Sequence, residues 1–185
     1  MKVVRVSRGA QSNYSTMTTK ELQDLPIKDF ADPDGCLLAL WCPSSLLKDG
    51  MNIMENWGFQ LKTTYVWVKN KKKLPKDLVL DQSLSFGMGR TFRASHELAL
   101  IGINSTKIYQ RLENKSQRSV SFAPNLGHSV KPETLQDSLD LMFPKSTKLE
   151  LFARRERKGW MCLGNQCPST IGQDITTSLA SLACP

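Results

Sequence analysis

Short apolar runs alternate with helix-like stretches along this chain, and that alternation constrains its fold most because it is typical of an α/β domain. Runs of apolar, β-branched and aromatic residues predict buried strands. Because helical stretches separate the runs, we expect a mostly parallel sheet. The predicted strands span residues 35–41, 63–68, 98–103, 149–153 and 160–163.

Between these runs, apolar residues at helical spacing predict helices that cover the sheet. Capping residues and prolines mark where the helices begin and end. The predicted helices are a short one opened by the capping box Thr18-Thr-Lys-Glu21, one over 46–57 capped by Gly58, one from Pro132 to Pro144, and a last short one after Pro168.

The length of 185 residues fits a single domain over residues 1–185. A composition of 40% hydrophobic and 23% charged residues is typical of a folded soluble domain and excludes collagen, coiled coil and full-length disorder. No run of 18 apolar residues occurs, so no membrane partner is expected. The basic start over residues 1–8 lacks the apolar core of a signal peptide, which favours a cytoplasmic protein.

The net charge of +8 is concentrated in the middle third of the chain. Residues 62–118 hold 12 basic and four acidic side chains, whereas the two flanking segments are nearly neutral. Such a segment suits nucleic acid, although a solvated lysine-rich loop explains it equally well. Residues 69–97 and 104–121 are the predicted basic, exposed loops, and the candidate nucleic-acid contacts are Lys71, Lys72, Lys73, Arg90, Arg93, Arg111 and Arg118.

Other residues that often carry chemistry favour structural roles here. The spacing of Cys162 and Cys167 is not that of a zinc site, and no metal is expected. Gly87-Met-Gly-Arg90 lacks the third glycine of a dinucleotide loop, so a flexible loop is favoured over a phosphate cradle. His96-Glu97 has no second histidine at metal-binding spacing, which favours a structural role.

Polar residues cluster just after the predicted strands. Arg154 and Arg155 follow one strand, the turn 164–166 (Gly-Asn-Gln) follows another, and Lys131 precedes a helix. Ligands of open α/β sheets bind at the carboxyl ends of the strands. The set suits a charged small molecule with hydroxyl groups, while a surface arginine pair and a polar turn remain the alternative.

Several short motifs in a fixed order resemble the MT-A70 family, which includes eukaryotic messenger-RNA N6-adenosine methyltransferases and bacterial and phage DNA N6-adenine methyltransferases. The resemblance spans roughly residues 9–166, and the approach to Tyr14 and the loop 85–93 are most similar to phage DNA-modifying members. The motifs are Tyr14-Ser-Thr-Met17, Leu40-Trp41, Trp57-Gly-Phe59, Val66-Trp-Val-Lys69, Ser129-x-Lys-Pro, Glu-Leu-Phe-Ala-Arg154, Gly-Trp160 and Gly-Asn-Gln166.

The resemblance implies a Rossmann-like methyltransferase fold that binds S-adenosylmethionine and methylates the exocyclic N6 amine of adenine in DNA, with RNA less favoured. It also implies a bacterial or phage-infected cell and a homodimer or heterodimer. The residues it assigns to the cofactor are Lys131 and Arg154, for the amino-acid end and the ribose, and Asn165 and Gln166, for the ribose hydroxyls and adenine. The residues it assigns to the substrate pocket are Tyr14, His128 and Ser129.

One family motif is absent from the sequence. The catalytic tetrapeptide Asp-Pro-Pro-Trp, which the family carries at a strand end before the Tyr14 segment, does not occur, and Asp32-Pro33-Asp34 lies out of place. We therefore identify no catalytic residue and expect the first, motif-bearing strand to be missing. Truncation of an enzyme is the favoured explanation. The alternative is a relative without the motif, serving as a non-catalytic nucleic-acid-binding or partner subunit.

Overall fold

The computed structural model describes residues 16–72, 83–87, 91–127 and 130–183. Their centre is a four-stranded mixed sheet with the strand order β1-β3-β2-β4, beside a separate parallel pair, β5 and β6. The strands are β1 (Leu37–Cys42), β2 (Gln60–Asn70), β3 (His96–Ile103), β4 (Val120–Pro124), β5 (Leu149–Leu151) and β6 (Met161–Leu163).

Five α-helices accompany the strands in the part of the chain that is described. Thr18 and Glu21 form the predicted capping box, and Gly58 has a φ of 82° just after the longest helix. None of these helices is both long and apolar enough to cross a membrane. The helices are α1 (Thr19–Gln23), α2 (Ile27–Phe30), α3 (Leu47–Asn56), α4 (Thr134–Met142) and α5 (Ile175–Ala183), with 3-10 turns at Ser44–Leu46, Thr106–Arg111 and Pro168–Thr170.

The expectation of a mostly parallel sheet is wrong for the four-stranded sheet. β3 lies between β1 and β2 and is antiparallel to both, and only β4 pairs in parallel with β2. Antiparallel neighbours can be joined without a crossover helix, whereas parallel neighbours cannot. The expectation of an exposed loop over 104–121 is wrong in part. Thr106–Arg111 form a 3-10 turn with Ile108 buried, and β4 begins at Val120.

One hydrophobic core joins the two sheets. Met54 of α3, Leu100 of β3 and Leu179 of α5 are almost completely buried in it, and Leu149 and Leu151 of β5 pack against the same cluster. The burial of these side chains from both sheets supplies the main force holding the layers together. α4 covers the opposite face of the four-stranded sheet.

β1 and β5 each have a strand partner on one side among the described residues. β1 pairs with β3 and β5 pairs with β6, and no described strand lies along the other edge of either. The missing motif-bearing strand remains a prediction.

Candidate functional site

The carboxyl ends of β1, β2 and β4 lie at one edge of the main sheet, together with the amino end of β3. Cys42 pairs with Leu98 there, and Asn70 pairs with Pro124. The loop before α4 passes the same place, since Nζ of Lys131 donates a hydrogen bond to Glu97 at the start of β3. We call this place the carboxyl edge, and it collects side chains from several elements.

Glu97 joins two lysines at the carboxyl edge, and we call these three residues the lysine–glutamate cluster. One carboxylate oxygen lies 2.7 Å from Nζ of Lys69, and the other accepts a hydrogen bond from Nζ of Lys131. Burial alone raises the pKa of Glu97, but the two ammonium groups outweigh it and hold that pKa below its ordinary value. Glu97 is therefore ionised at neutral pH and fixes both lysines.

Tryptophan rings lie beside the lysine–glutamate cluster. Trp41 and Trp67 meet edge to face, with ring centroids 6.4 Å apart. Nζ of Lys131 is 5.8 Å from the ring centroid of Trp41, and Nζ of Lys69 is 5.2 Å from that of Trp67. Trp67 also donates its indole N–H to the carbonyl of Ala123 at 2.9 Å. The cations are thus held by rings that are themselves anchored to the sheet.

The end of β5 is tied to the loop that carries Lys131. The guanidinium of Arg155 donates to the carbonyl oxygen of Lys131 at 3.3 Å and forms an ion pair with Glu133 at 2.6 Å. Arg154 precedes Arg155 in the chain and is partly exposed. The structure therefore brings together the backbone segments of two predicted cofactor contacts, Lys131 and Arg154.

The turn after β6 packs directly on the segment after β5. A Cβ added to Gly164 would lie 2.2 Å from the carbonyl oxygen of Ala153, so only glycine fits there. The hydroxyl of Thr170 donates to the Gly164 carbonyl at 2.9 Å and accepts from the Gly164 N–H at 3.0 Å. The turn backbone is fixed in this way, while the side chains of Asn165 and Gln166 are exposed.

Arg157 anchors the β5–β6 loop to α4. Its guanidinium contacts Glu133 at 2.7 Å, Asp137 at 2.6 Å and Asp140 at 2.7 Å. Trp160 adds an indole N–H bond to Asp140 at 2.9 Å. Burial raises the pKa of Asp140, but Arg157 and Trp160 outweigh it, so the pKa is lowered. The stability that Asp140 contributes is present at neutral pH and is lost as the pH falls through its folded-state pKa.

The described nucleic-acid candidates do not share one surface. Lys71 and Lys72 are exposed where β2 ends, and Arg93 is exposed on the segment before β3, so these three lie near the carboxyl edge. Arg111 lies at the opposite edge of the sheet, where it forms an ion pair at 2.8 Å with a carboxylate of the loop before β1. Arg118 is exposed just before β4.

Five predicted residues lie outside the described ranges, and their roles stay predictions. They are the pocket residues Tyr14, His128 and Ser129 and the nucleic-acid contacts Lys73 and Arg90.

The lysine–glutamate cluster is the part of the site that the sequence alone did not indicate. The expectation that Lys69 opens an exposed loop is wrong, because Lys69 belongs to β2 and is 9% exposed. Trp67 and Lys69 are two positions apart and therefore lie on the same face of a strand. This spacing indicates that the strand continues as far as Lys69. Glu97 could have been singled out from the sequence, because it is the single acidic residue between Asp81 and Glu113 in a basic segment.

Phe152, directly after β5, has a backbone conformation that the sequence alone did not indicate. Its φ of 59° is in the left-handed region, which is rare for a residue other than glycine, and its side chain is 49% exposed. Such backbone strain is concentrated at ligand-binding sites. The residue lies just before Ala153 and Arg154, so the turn it makes sets the direction in which the chain leaves β5.

Glu150 and Gln136 form a polar pair between β5 and α4. Gln136 donates from Nε2 to Glu150 at 3.4 Å, and its buried Oε1 has no hydrogen-bond partner among the described residues. Burial raises the pKa of Glu150. The contribution of Glu150 to the free energy of unfolding is therefore fully present below the ordinary pKa of a glutamate. It is lost as the pH rises through the higher folded-state pKa.

We expect Glu150→Gln to make the chain more heat-stable at neutral pH, by up to about 1 kcal/mol. The neutral amide avoids the cost of a buried charge and can donate to Oε1 of Gln136. Thermal unfolding should show little difference between the two proteins near pH 4.5, the ordinary glutamate pKa, and a growing advantage for the variant above it. Glu156→Gln, at an exposed site, is the control and should show no such pH dependence.

Comparison with known proteins identifies the chain's relatives. The MT-A70 family model matches residues 2–166. The chain belongs to the MT-A70 family. Its central sheet flanked by helices is that of a Rossmann-like α/β methyltransferase, which confirms the predicted family and fold class.

Three relatives illustrate the range of the family. Type II methyltransferase M.MunI of Mycoplasma sp. is 29% identical over 160 residues, which cover 86% of this chain and 62% of the relative. A probable N(6)-adenosine-methyltransferase MT-A70-like protein of Oryza sativa subsp. japonica is 30% identical over 83% of this chain and 20% of the relative. Human N(6)-adenosine-methyltransferase catalytic subunit METTL3 is 26% identical over 83% of this chain and 25% of the relative. The chain thus spans only part of each relative's length.

Proposed function

We propose that this chain is an S-adenosylmethionine-dependent methyltransferase that modifies the N6 amine of adenine in DNA. The observation that carries the proposal is the meeting of the Lys131 loop with the end of β5 through Arg155, beside the turn that presents Asn165 and Gln166. Family membership and the methyltransferase names of the relatives support the reaction class. DNA is favoured because the bacterial type II relative shares the greater part of its own length with this chain.

The donor set fits S-adenosylmethionine chemically. The basic side chains of Lys131 and Arg154 can donate to the carboxylate of the amino-acid end and to the ribose. The exposed amides of Asn165 and Gln166 can both donate to and accept from the ribose hydroxyls and adenine. The cofactor supplies a methyl group attached to a positively charged sulfur. Glu97 accepts a hydrogen bond from the ammonium of Lys131 and so positions it at the carboxyl edge.

The direct test is transfer of a labelled methyl group from S-adenosylmethionine to unmethylated DNA. We expect slow incorporation of label at adenine, and none in a matched duplex whose adenines already carry an N6 methyl group. An RNA of the same sequence tests the choice of substrate. Label on the RNA alone would contradict the DNA assignment, and label on neither would contradict catalysis by this chain.

A second candidate function is a non-catalytic nucleic-acid-binding or partner subunit. The observation that favours it is the absence of Asp-Pro-Pro-Trp from the 185 residues. The adenine amine is a weak nucleophile, and removal of groups that accept its hydrogens costs roughly 100- to 10,000-fold in rate. We therefore propose that activity is impaired in this chain. Retained binding of S-adenosylmethionine and DNA without transfer of label would support the non-catalytic role.

Replacing Lys71, Lys72 and Lys73 together with alanine is expected to weaken DNA binding to a similar degree for all sequences. Lys71 and Lys72 are exposed at the carboxyl edge, and lysines there neutralise phosphates without reading bases. The slope of log affinity against log salt should fall by about one for each phosphate that the variant no longer neutralises. Fluorescence anisotropy at several salt concentrations measures it.

The matched control for this triple variant is Lys107→Ala. Lys107 is exposed at the opposite edge of the sheet, where it pairs with Asp34 at 2.7 Å. Its replacement should leave the salt slope unchanged. Equal slopes for the triple variant and the unchanged chain would remove these lysines from the proposed interface.

A further inference from the structure

Two phenylalanine side chains near the carboxyl edge are strongly exposed. Phe92 is 87% exposed and Phe86 is 61% exposed. Single exposed apolar side chains are ordinary on protein surfaces, but these two belong to one short segment. We call the two described stretches 83–87 and 91–95 together the ribbon.

Backbone hydrogen bonds attach the ribbon to the carboxyl edge. The N–H of Ser85 donates to the carbonyl of Lys69 at 2.8 Å, and the N–H of Lys69 donates to the carbonyl of Ser95 at 2.8 Å. Within the ribbon, the N–H of Gly87 donates to the carbonyl of Ala94 at 2.9 Å. The ribbon therefore stands directly beside the lysine–glutamate cluster, at the edge where the cofactor residues are proposed to act.

The ribbon combines aromatic rings with positive charge. The guanidinium carbon of Arg93 lies 6.0 Å from the ring centroid of Phe86. Between Asp81 and Glu97 the sequence contains arginines and no carboxylate. An exposed ring next to an arginine, on a segment without negative charge, is complementary to a nucleobase and its phosphate.

We propose that Phe86 and Phe92 stack on unpaired DNA bases next to the target adenine, while Arg93 contacts the DNA backbone. This inference rests on the proposed function and specifies how its substrate is held. A target adenine must leave the base stack before chemistry can reach its amine, and the bases beside it then lose a stacking partner. An aromatic ring replaces that partner whichever base is present. The ribbon consequently favours single-stranded or locally opened DNA over closed duplex.

The test compares two double variants of the chain, Phe86→Ala/Phe92→Ala and Phe86→Tyr/Phe92→Tyr. The probe is a single-stranded DNA oligomer that contains the fluorescent base 2-aminopurine, titrated without S-adenosylmethionine. We expect the alanine pair to lower affinity by about tenfold or more and to abolish quenching of the probe. The tyrosine pair should keep both signals, because it keeps the rings. The salt slope should stay unchanged, because no charge is removed.

Three results would each overturn the inference. One is an alanine pair that binds the oligomer as tightly as the unchanged chain. Another is an equal loss of affinity in Ile171→Ala, which removes an apolar side chain that is 71% exposed outside the ribbon. An RNA oligomer of the same sequence that binds more tightly through the same two rings also overturns it, since the inference is specific to DNA.

The titration is independent of methyl transfer, so the inference and the proposed function can fail separately. Ring-dependent DNA binding without any transfer of label contradicts the proposed function and supports stacking by the ribbon. Methyl transfer by the alanine pair, at unchanged DNA affinity, contradicts the ribbon inference and supports the proposed function.

Discussion

The Gly164→Ala variant is expected to be less stable than the unchanged chain by about 3 kcal/mol. The added Cβ would lie 2.2 Å from the carbonyl oxygen of Ala153 and 2.6 Å from its backbone nitrogen. Both atoms belong to the backbone, which cannot turn aside as a flexible side chain can. The strands β5 and β6 must separate to admit the methyl group, so the midpoint of thermal unfolding should fall by about 6 to 12 °C.

Gly87→Ala is the matched control for this variant. Among the described residues, a Cβ on Gly87 would meet only the carbonyl oxygen of Ala94, at the ordinary contact distance of 3.8 Å. Calorimetry should show a change in stability within about 0.5 kcal/mol for Gly87→Ala. If Gly164→Ala unfolds at the same temperature as this control, then β6 and the segment after β5 do not pack as closely as described.

Asn165→Ala is expected to weaken binding of S-adenosylmethionine by about tenfold or more while leaving the unfolding temperature unchanged. The side chain is exposed on a turn whose backbone is held by Thr170, so its removal costs no packing. It does remove an amide proposed to bind the ribose hydroxyls, and the absence of one or two such hydrogen bonds accounts for the expected effect. Isothermal titration calorimetry measures both the affinity and the heat of binding.

Asn52→Ala is the corresponding control, because Asn52 is an exposed amide on α3, away from the turn. Its replacement should leave the affinity for the cofactor within about twofold of the unchanged chain, as for other surface changes of small free energy. If Asn165→Ala binds the cofactor as tightly as Asn52→Ala, Asn165 has no role in the site.

Local features of the fold followed from the sequence, because short-range geometry determines them. The capping box at Thr18 and Glu21 needs residues only three positions apart, and Gly58 adopts a left-handed conformation that few other residues tolerate. The positions of the strands other than β4, and of the three longest helices, followed from apolar periodicity, which indicates which face of an element is buried. The MT-A70 resemblance followed from the order of short motifs, and the match over residues 2–166 confirms it.

Pairing between distant segments could not be derived in this way. Periodicity places Leu98 to Ile103 in a strand, but it does not say that β3 enters the sheet antiparallel, between β1 and β2. β4 was not predicted, because it lies at the end of a polar stretch. Its apolar side chains Val120 and Phe122 are exposed, with no covering layer among the described elements. Strand neighbours are chosen by the burial that the complete sheet achieves, not by the segment alone.

The sequence by itself determined the α/β class, the family and the residues proposed to bind the cofactor. The class follows from local apolar periodicity, and the family and the proposed residues follow from the order of short motifs. Only the tertiary structure decided the electrostatics of the carboxyl edge. Glu97 forms ion pairs with Lys69 and Lys131, which are 28 and 34 positions away in the sequence. Arg111, although part of the basic segment, pairs with Asp32 at the opposite edge of the sheet. A charge acts over a few ångströms of space, whatever its distance along the chain, so its partners are known only once the strands are paired.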